Sequence, residues 1–168
     1  INAATLVHNG DKVIAIYGTP YEPGQMVALK LPQVVPTNAA AGPIVIERAQ
    51  AEIWSADVST STSSPILVGN GVYVVAEKGD LCCIDVISGR VLWKLKLGIE
   101  QRNACPLYAD GKLYIPILDD PAGKGTGTGE EAGSKGAFYV VEPSDAEGKI
   151  LTHLELDGRC FGSPTIYN

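Results

Sequence analysis

At 168 residues, with 45% hydrophobic residues, the chain carries enough apolar material for a sizeable core, which excludes a disordered tail. Its formal charge is −6 and its 13 Lys and Arg are scattered without a basic cluster, which excludes nucleic acid as an expected partner. No stretch approaches the roughly 18 uncharged apolar residues of a membrane span, so no transmembrane segment is expected.

Ile1-Asn2-Ala3-Ala4 lacks the basic start and apolar run of a signal peptide, and no initiator Met is present; a preceding segment, with any targeting signal it bore, is therefore expected to have been removed. The 19 Gly and 11 Pro punctuate β-branched and aromatic runs without a long 3.6-period stripe, the pattern of a nearly all-β chain. In chain order the first unit opens with Ala4-Thr5-Leu6-Val7-His8-Asn9-Gly10-Asp11-Lys12-Val13-Ile14-Ala15, an apolar strand, a turn and an apolar strand. A lengthened turn follows at Pro20-Tyr21-Glu22-Pro23-Gly24, then Val27-Ala28-Leu29-Lys30, an insertion over about residues 32–51, and Ile53-Trp54.

The second unit repeats the opening as Ser64-Pro65-Ile66-Leu67-Val68-Gly69-Asn70-Gly71-Val72-Tyr73-Val74-Val75 and is the most regular. Its strands are predicted at Pro65–Val68, Val72–Ala76, Asp80–Val86 and Arg90–Leu97, with turns at Lys78-Gly79-Asp80 and Ser88-Gly89. The third unit opens with Cys105-Pro106-Leu107-Tyr108-Ala109-Asp110-Gly111, takes an insertion over about residues 119–136, and continues through Tyr139-Val140-Val141-Glu142-Pro143 to Glu147-Gly148-Lys149-Ile150-Leu151. A fourth copy begins at Ser163-Pro164-Thr165-Ile166-Tyr167-Asn168. Asn-Gly or Asp-Gly is expected at the first turn of the three units, where a tight hairpin needs positive φ.

Pro65 and Pro106 are 41 positions apart, and the outer copies are spaced 60 and 58 positions from their neighbours. Four short antiparallel strands at a period near 40 residues make one blade of a β-propeller, the main alternative being a sandwich with coincidental spacing. The expected fold is all-β: about three blades, at residues 4–62, 63–103 and 104–162, plus the start of a fourth at 163–168, an incomplete ring. Propellers generally need 4 to 8 blades, so completion is expected from missing blades of a longer chain or from another copy.

Several chemical motifs fail in detail. The Gly-rich run from Gly123 to Gly136 resembles a phosphate loop, but Ser134 stands where that loop needs Gly, and a strand rather than a helix follows. A surface loop is expected there. Asp119-Asp120 and Glu130-Glu131 flank it without EF-hand spacing; an acidic rim is expected, with an ion site as the alternative. His8 and His153 form no metal-binding pair, and neither sits in a nucleophile motif. Cys82, Cys83, Cys105 and Cys160 match no zinc pattern.

Cys83-Ile84-Asp85-Val86-Ile87-Ser88-Gly89-Arg90-Val91-Leu92-Trp93 resembles the tryptophan-docking motif of the pyrroloquinoline-quinone-type (quinoprotein-like) propeller repeat, Ala-x-Asp-x-x-Thr-Gly-x-x-x-Trp, with Cys83 for Ala and Ser88 for Thr. The resemblance implies that Cys83, Asp85, Ser88, Gly89 and Trp93, together with Trp54 of the first unit, are a structural docking motif, with Trp54 and Trp93 stacking between neighbouring blades. Burying about 150–250 Å² per ring sets an upper bound of roughly 4–6 kcal/mol each. The third unit has no Trp, so its junction is expected to be weaker or built differently.

The family includes quinone-dependent alcohol and sugar dehydrogenases, the outer-membrane assembly lipoprotein and bacterial propellers without a cofactor, and the likeness is greater to the last two than to the dehydrogenases. Those enzymes press an adjacent-cysteine disulfide on the quinone. Cys82-Cys83 instead falls inside the docking motif on a strand, where adjacent side chains point to opposite faces. Buried free thiols are expected there, with a structural bridge to another cysteine as the alternative. The resemblance implies no catalytic, cofactor-binding or metal-binding residue in this segment and no cofactor, the alternative being a fragment of a quinone-dependent dehydrogenase, with quinone and calcium held by residues outside it. It further implies a non-catalytic scaffold or protein-interaction module, with a protein or cell-surface partner, in the periplasm or at the cell surface of a bacterium.

Overall fold

A tight hairpin starts each repeat, and its geometry follows from where glycine falls. The structure, a computed structural model, describes residues 5–19, 22–32, 42, 45–60, 62–99, 103–118, 135–160 and 162–167. β1 (Val7–Asn9) turns into β2 (Lys12–Thr19) through Gly10-Asp11, with Asn9 opposite Lys12. β5 (Ile66–Val68) turns into β6 (Gly71–Val75) through Gly69-Asn70, with Val68 opposite Gly71. In both turns the first central residue is a glycine at positive φ, 62° and 58°, the arrangement that places Gly first. The expected Asn-Gly turns are therefore displaced by one residue in these two units. Only the third unit, where β9 (Leu107–Ala109) meets β10 (Lys112–Ile117), turns on Asp110-Gly111 with both at positive φ.

Each hairpin is extended by two further strands into a four-stranded antiparallel meander. β3 (Glu22–Lys30) and β4 (Glu52–Ala56) complete the first sheet, β7 (Asp80–Asp85) and β8 (Val91–Lys96) the second, and β11 (Ala137–Pro143) and β12 (Gly148–Glu155) the third. The four strands predicted for the middle unit are all present, three of them shortened by one residue at one or both ends and β6 shifted by one residue toward the N-terminus. Pro65 stays outside β5 because it has no N–H for the ladder. Helix is confined, among the described residues, to one turn, α1 (Arg48–Ala51), inside the first insertion. Residues 163–167 contribute no strand to the three sheets. The chain is thus nearly all β, three antiparallel blades of an incomplete propeller.

The core lies between the blades. Ile14, Ile16, Met26, Ala28 and Trp54 of the first sheet pack on Val72, Val74, Cys82, Ile84 and Val86 of the second. The intervening residues of the second sheet, Tyr73, Val75, Leu81 and Cys83, pack on Leu113, Ile115, Ile117, Tyr139 and Val141 of the third. Period-two alternation splits the middle sheet between two interfaces, which is why every residue of β6 is buried.

The third and fourth strands share one irregularity in all three blades. The register shifts by a bulge after Ala28 opposite Trp54, after Cys83 opposite Trp93, and after Val140 opposite Thr152. Thr152 therefore occupies, in the third blade, the place held by tryptophan in the other two.

Candidate functional site at the blade junctions

The ring of each outer-strand tryptophan reaches from its own blade to the next. Trp54 Nε1 donates to the Val86 carbonyl at 3.1 Å, a buried bond. Its indole lies over Gly89, where a methyl group would come within 2.5 Å of Cδ2 and 2.6 Å of Cε3. Gly89 also sits at φ 72°, so the position needs glycine both for backbone conformation and for the close approach of the ring.

The turn that presents Gly89 is held by Asp85. Its Oδ1 accepts from the backbone N–H of Ile87 at 3.2 Å and of Ser88 at 2.7 Å, and from the Ser88 hydroxyl at 2.6 Å. These bonds, the Ser88 hydroxyl first, hold the Asp85 carboxyl below the usual range. A carboxylate four residues before the glycine thus fixes the loop on which the tryptophan rests.

The second junction repeats the design with different residues. Trp93 Nε1 donates to the Ser144 carbonyl at 2.8 Å, and its ring lies over Gly148, where a methyl would come within 2.6 Å of Cη2. Trp93 also packs against Tyr73 of its own blade, ring centres 5.9 Å apart. Ser144 takes the part of Asp85: its Oγ accepts from the N–H of Ala146 at 3.3 Å and of Glu147 at 3.0 Å, and donates to the Glu147 carbonyl at 2.8 Å. Sequence reasoning missed Ser144, although the spacing Ser144 to Gly148 equals that of Asp85 to Gly89.

A third set of residues links the innermost strands. The Thr5 N–H donates to Ser64 Oγ at 3.0 Å, the Ser64 hydroxyl donates to Thr5 Oγ1 at 3.0 Å, and the Ser64 N–H donates to Cys105 Sγ at 3.2 Å. Measured from the hairpin turns, these are equivalent positions of successive blades. Aligning the units on Asn9-Gly10 sets Ala4 against Ser64; the turn lies one residue later, on Gly10-Asp11, which brings Thr5 into that place.

Cys82 and Cys83 are both buried, and Cys82, Cys83, Cys105 and Cys160 are all free thiols. Cys82 belongs to the first interface and Cys83 to the second, so the two sulfurs face different neighbours. Burial pushes the Cys82 thiol up to about 11 and raises Cys83 as well. A quinone clamp does not fit here: adjacent cysteines divided between two packed interfaces present no common surface, and both indoles are seated on glycines. Among the described residues no three His, Cys, Asp or Glu side chains are grouped to hold a metal. Asp119, Asp120, Glu130 and Glu131 lie outside the described residues, as does the Gly-rich loop up to Ser134. Lys135, the lysine of that loop, pairs with Glu155. His8 lies in β1 opposite Val13, and the His153 ring stacks on Tyr139 at 4.6 Å. No helix among the described residues is long and apolar enough to cross a membrane.

Comparison with known proteins locates this architecture. The family described as outer membrane protein assembly factor BamB matches residues 44–120. The BamB of Burkholderia pseudomallei (strain K96243) is 28% identical over 120 residues, covering 70% of this chain and 26% of that protein; the chain spans about a quarter of the curated relative it matches. Among solved structures, BamB from Moraxella catarrhalis superposes with a TM-score of 0.51 at 15% identity, over 91% of this chain and 48% of that one. A europium-containing methanol dehydrogenase superposes with a TM-score of 0.57 at 13% identity, over 92% of this chain and 26% of that one. The quinohemoprotein alcohol dehydrogenase of Comamonas testosteroni gives 0.57 at 16% identity, over 92% of this chain and 21% of that one. The structural likenesses establish the fold alone. The chain is a β-propeller module. Its repeats resemble the pyrroloquinoline-quinone-type repeats of the outer membrane protein assembly factor BamB.

Proposed function

We propose that the chain is a non-catalytic propeller scaffold that presents the rims and loops of its blades to a protein partner, in the periplasm or at the cell surface of a bacterium. The observation that supports this reading is the seat of the sequence likeness: the matched stretch, residues 44–120, includes Trp54, Asp85, Gly89 and Trp93, whose contacts join one blade to the next. In this reading Cys83, Asp85, Ser88, Gly89, Trp93 and Trp54 are a structural docking motif, and no cofactor is used. Blades occupy residues 4–62, 63–103 and 104–162, with a fourth starting at 163–168. Further blades of a longer chain, or another copy, complete the ring.

The test is a titration with pyrroloquinoline quinone and Ca²⁺, followed by quinone fluorescence and by dye reduction with alcohols and sugars. Neither saturable binding nor dye reduction is expected; saturable binding with dye reduction would overturn the reading. A photo-crosslinking residue in place of the exposed Tyr108, incubated with a bacterial envelope fraction, tests the other half. A discrete protein adduct is expected, and its absence at Tyr108 and at other exposed positions counts against an interaction role.

A further inference from the structure

The chain holds two Asn-Gly pairs, Asn9-Gly10 and Asn70-Gly71, and the two hairpins place them differently. Asn9 ends β1 opposite Lys12, so Gly10 is the first corner residue of its turn, exposed, at φ 62°, with nothing within 4 Å of the place a methyl group would take. Asn70 is instead the second corner residue of its turn, and Gly71 opens β6, buried between Val68 of β5 and Asp85 of β7. The same dipeptide thus straddles the entry to one turn and the exit from the other.

The surroundings of the two glycine nitrogens follow from that placement, because a carbonyl and the next N–H point in opposite directions across a trans peptide. The Val86 N–H donates to the Asn70 carbonyl at 2.9 Å, which directs that carbonyl to β7 and the Gly71 N–H to β5. There it closes the hairpin on Val68, the bond that a two-residue turn asks of its last residue. In the first blade it is the Asn9 carbonyl that faces β2, across the closing pair with Lys12. The Gly10 N–H therefore points away from β2, and β1 is the edge strand of its sheet. One glycine nitrogen is held in a ladder and the other is free at a corner.

We propose that Asn9 is a site of spontaneous deamidation in the folded chain and that Asn70 is protected. In this reaction the backbone nitrogen of the following glycine loses its proton to water or hydroxide and attacks the Asn Cγ. The N–Cγ bond forms, the side-chain nitrogen leaves as ammonia with protons supplied by water, and water opens the resulting succinimide at either carbonyl to aspartate or isoaspartate. Glycine favours the step because no side chain hinders its nitrogen. Closing the ring also requires rotation about the Asn Cα–C bond. At Asn9 that rotation opens one hairpin-closing pair at an exposed corner; at Asn70 it withdraws Gly71 from a strand paired on both sides in which every residue is buried, a far costlier local opening. The inference does not rest on the scaffold reading.

Incubation of the 168-residue chain at mildly alkaline pH, with a parallel sample in urea, tests it by mass spectrometry of peptides. In urea the two sites should convert within about twofold of each other, since both are Asn followed by Gly, whereas in the folded chain Asn9 should convert at least about tenfold faster than Asn70, the order that separates an exposed corner from a buried strand. Protection of the Val72 amide against hydrogen exchange shows that the folded sample has stayed folded. Equal rates at the two sites in the folded chain, or an Asn9 that converts in urea and not in the folded chain, would overturn the proposal. So would a preference of the same size in urea, which would belong to the local sequence and not to the turn.

Discussion

Trp54 and Trp93 perform one task with different degrees of closure. Trp54 is 7% exposed and donates into a buried carbonyl, whereas Trp93 is half-buried and its bond to Ser144 lies at the surface. Trp54→Ala is expected to destabilise the chain by about 3–5 kcal/mol, and Trp93→Ala by less, measured by denaturant unfolding. Gly89→Ala meets two penalties at once, a strained positive φ and a collision with the Trp54 ring; a loss of about 2–3 kcal/mol follows. Ser63 points in the other direction. Its Oγ is fully buried and finds no partner among the described residues, while the equivalent place in the next blade is filled by Ala104, also buried. Ser63→Ala is expected to stabilise by about 1 kcal/mol. Asp85 gives the pH dependence. Its pKa is lowered in the folded chain by the Ser88 and Ile87 donors, so its contribution is complete above the unfolded value near 3.9 and is lost as pH falls through the lower folded value. Unfolding midpoints of Asp85→Asn should therefore fall less steeply than those of the unaltered chain as pH drops below about 4.

At the scale of the element, alternation along a strand decides most of what each residue does. Cys82 and Cys83 are neighbours in sequence and belong to different interfaces. Both thiols are buried with raised pKa values, whereas Cys105 and Cys160 are only partly covered. A maleimide at neutral pH should modify Cys105 and Cys160 at least about tenfold faster than Cys82 and Cys83, read by mass spectrometry of peptides; equal rates would contradict the packing. The four strands of the middle blade and the seat of Trp93 were legible in the sequence because apolar runs between glycine turns repeat there without insertion. The hairpin register was not. A Gly-Asn turn and an Asn-Gly turn overlap in Gly69-Asn70-Gly71, and which pair occupies the corner depends on the strand pairing rather than on composition. In the first unit the turn falls one residue later than Asn9-Gly10 suggests, on Gly10-Asp11, and that shift hid Thr5 from the series Thr5, Ser64, Cys105. Ser144 was hidden for a different reason: a hydroxyl accepting two backbone N–H groups replaces a carboxylate doing so, and the two residue types look unlike in sequence while acting alike.

For the molecule as a whole, the three blades form a series in which each outer strand hands an indole to the next blade's turn, and the series stops at Thr152. The middle blade is packed on both faces against its neighbours. The cooperative unit is therefore the pair of junctions rather than any single sheet, as expected when stacked repeats bury a shared core. The central claim is that these two indoles lock the blades, and amide-type hydrogen exchange at the indole nitrogens tests it most directly, because the chain has only 2 Trp and gives two resolvable Nε1–H signals. The account predicts that both protons exchange much more slowly than a free indole, with Trp54 slower than Trp93. Rapid exchange at both, in a chain whose Val72 and Ile115 amides remain protected, would contradict it.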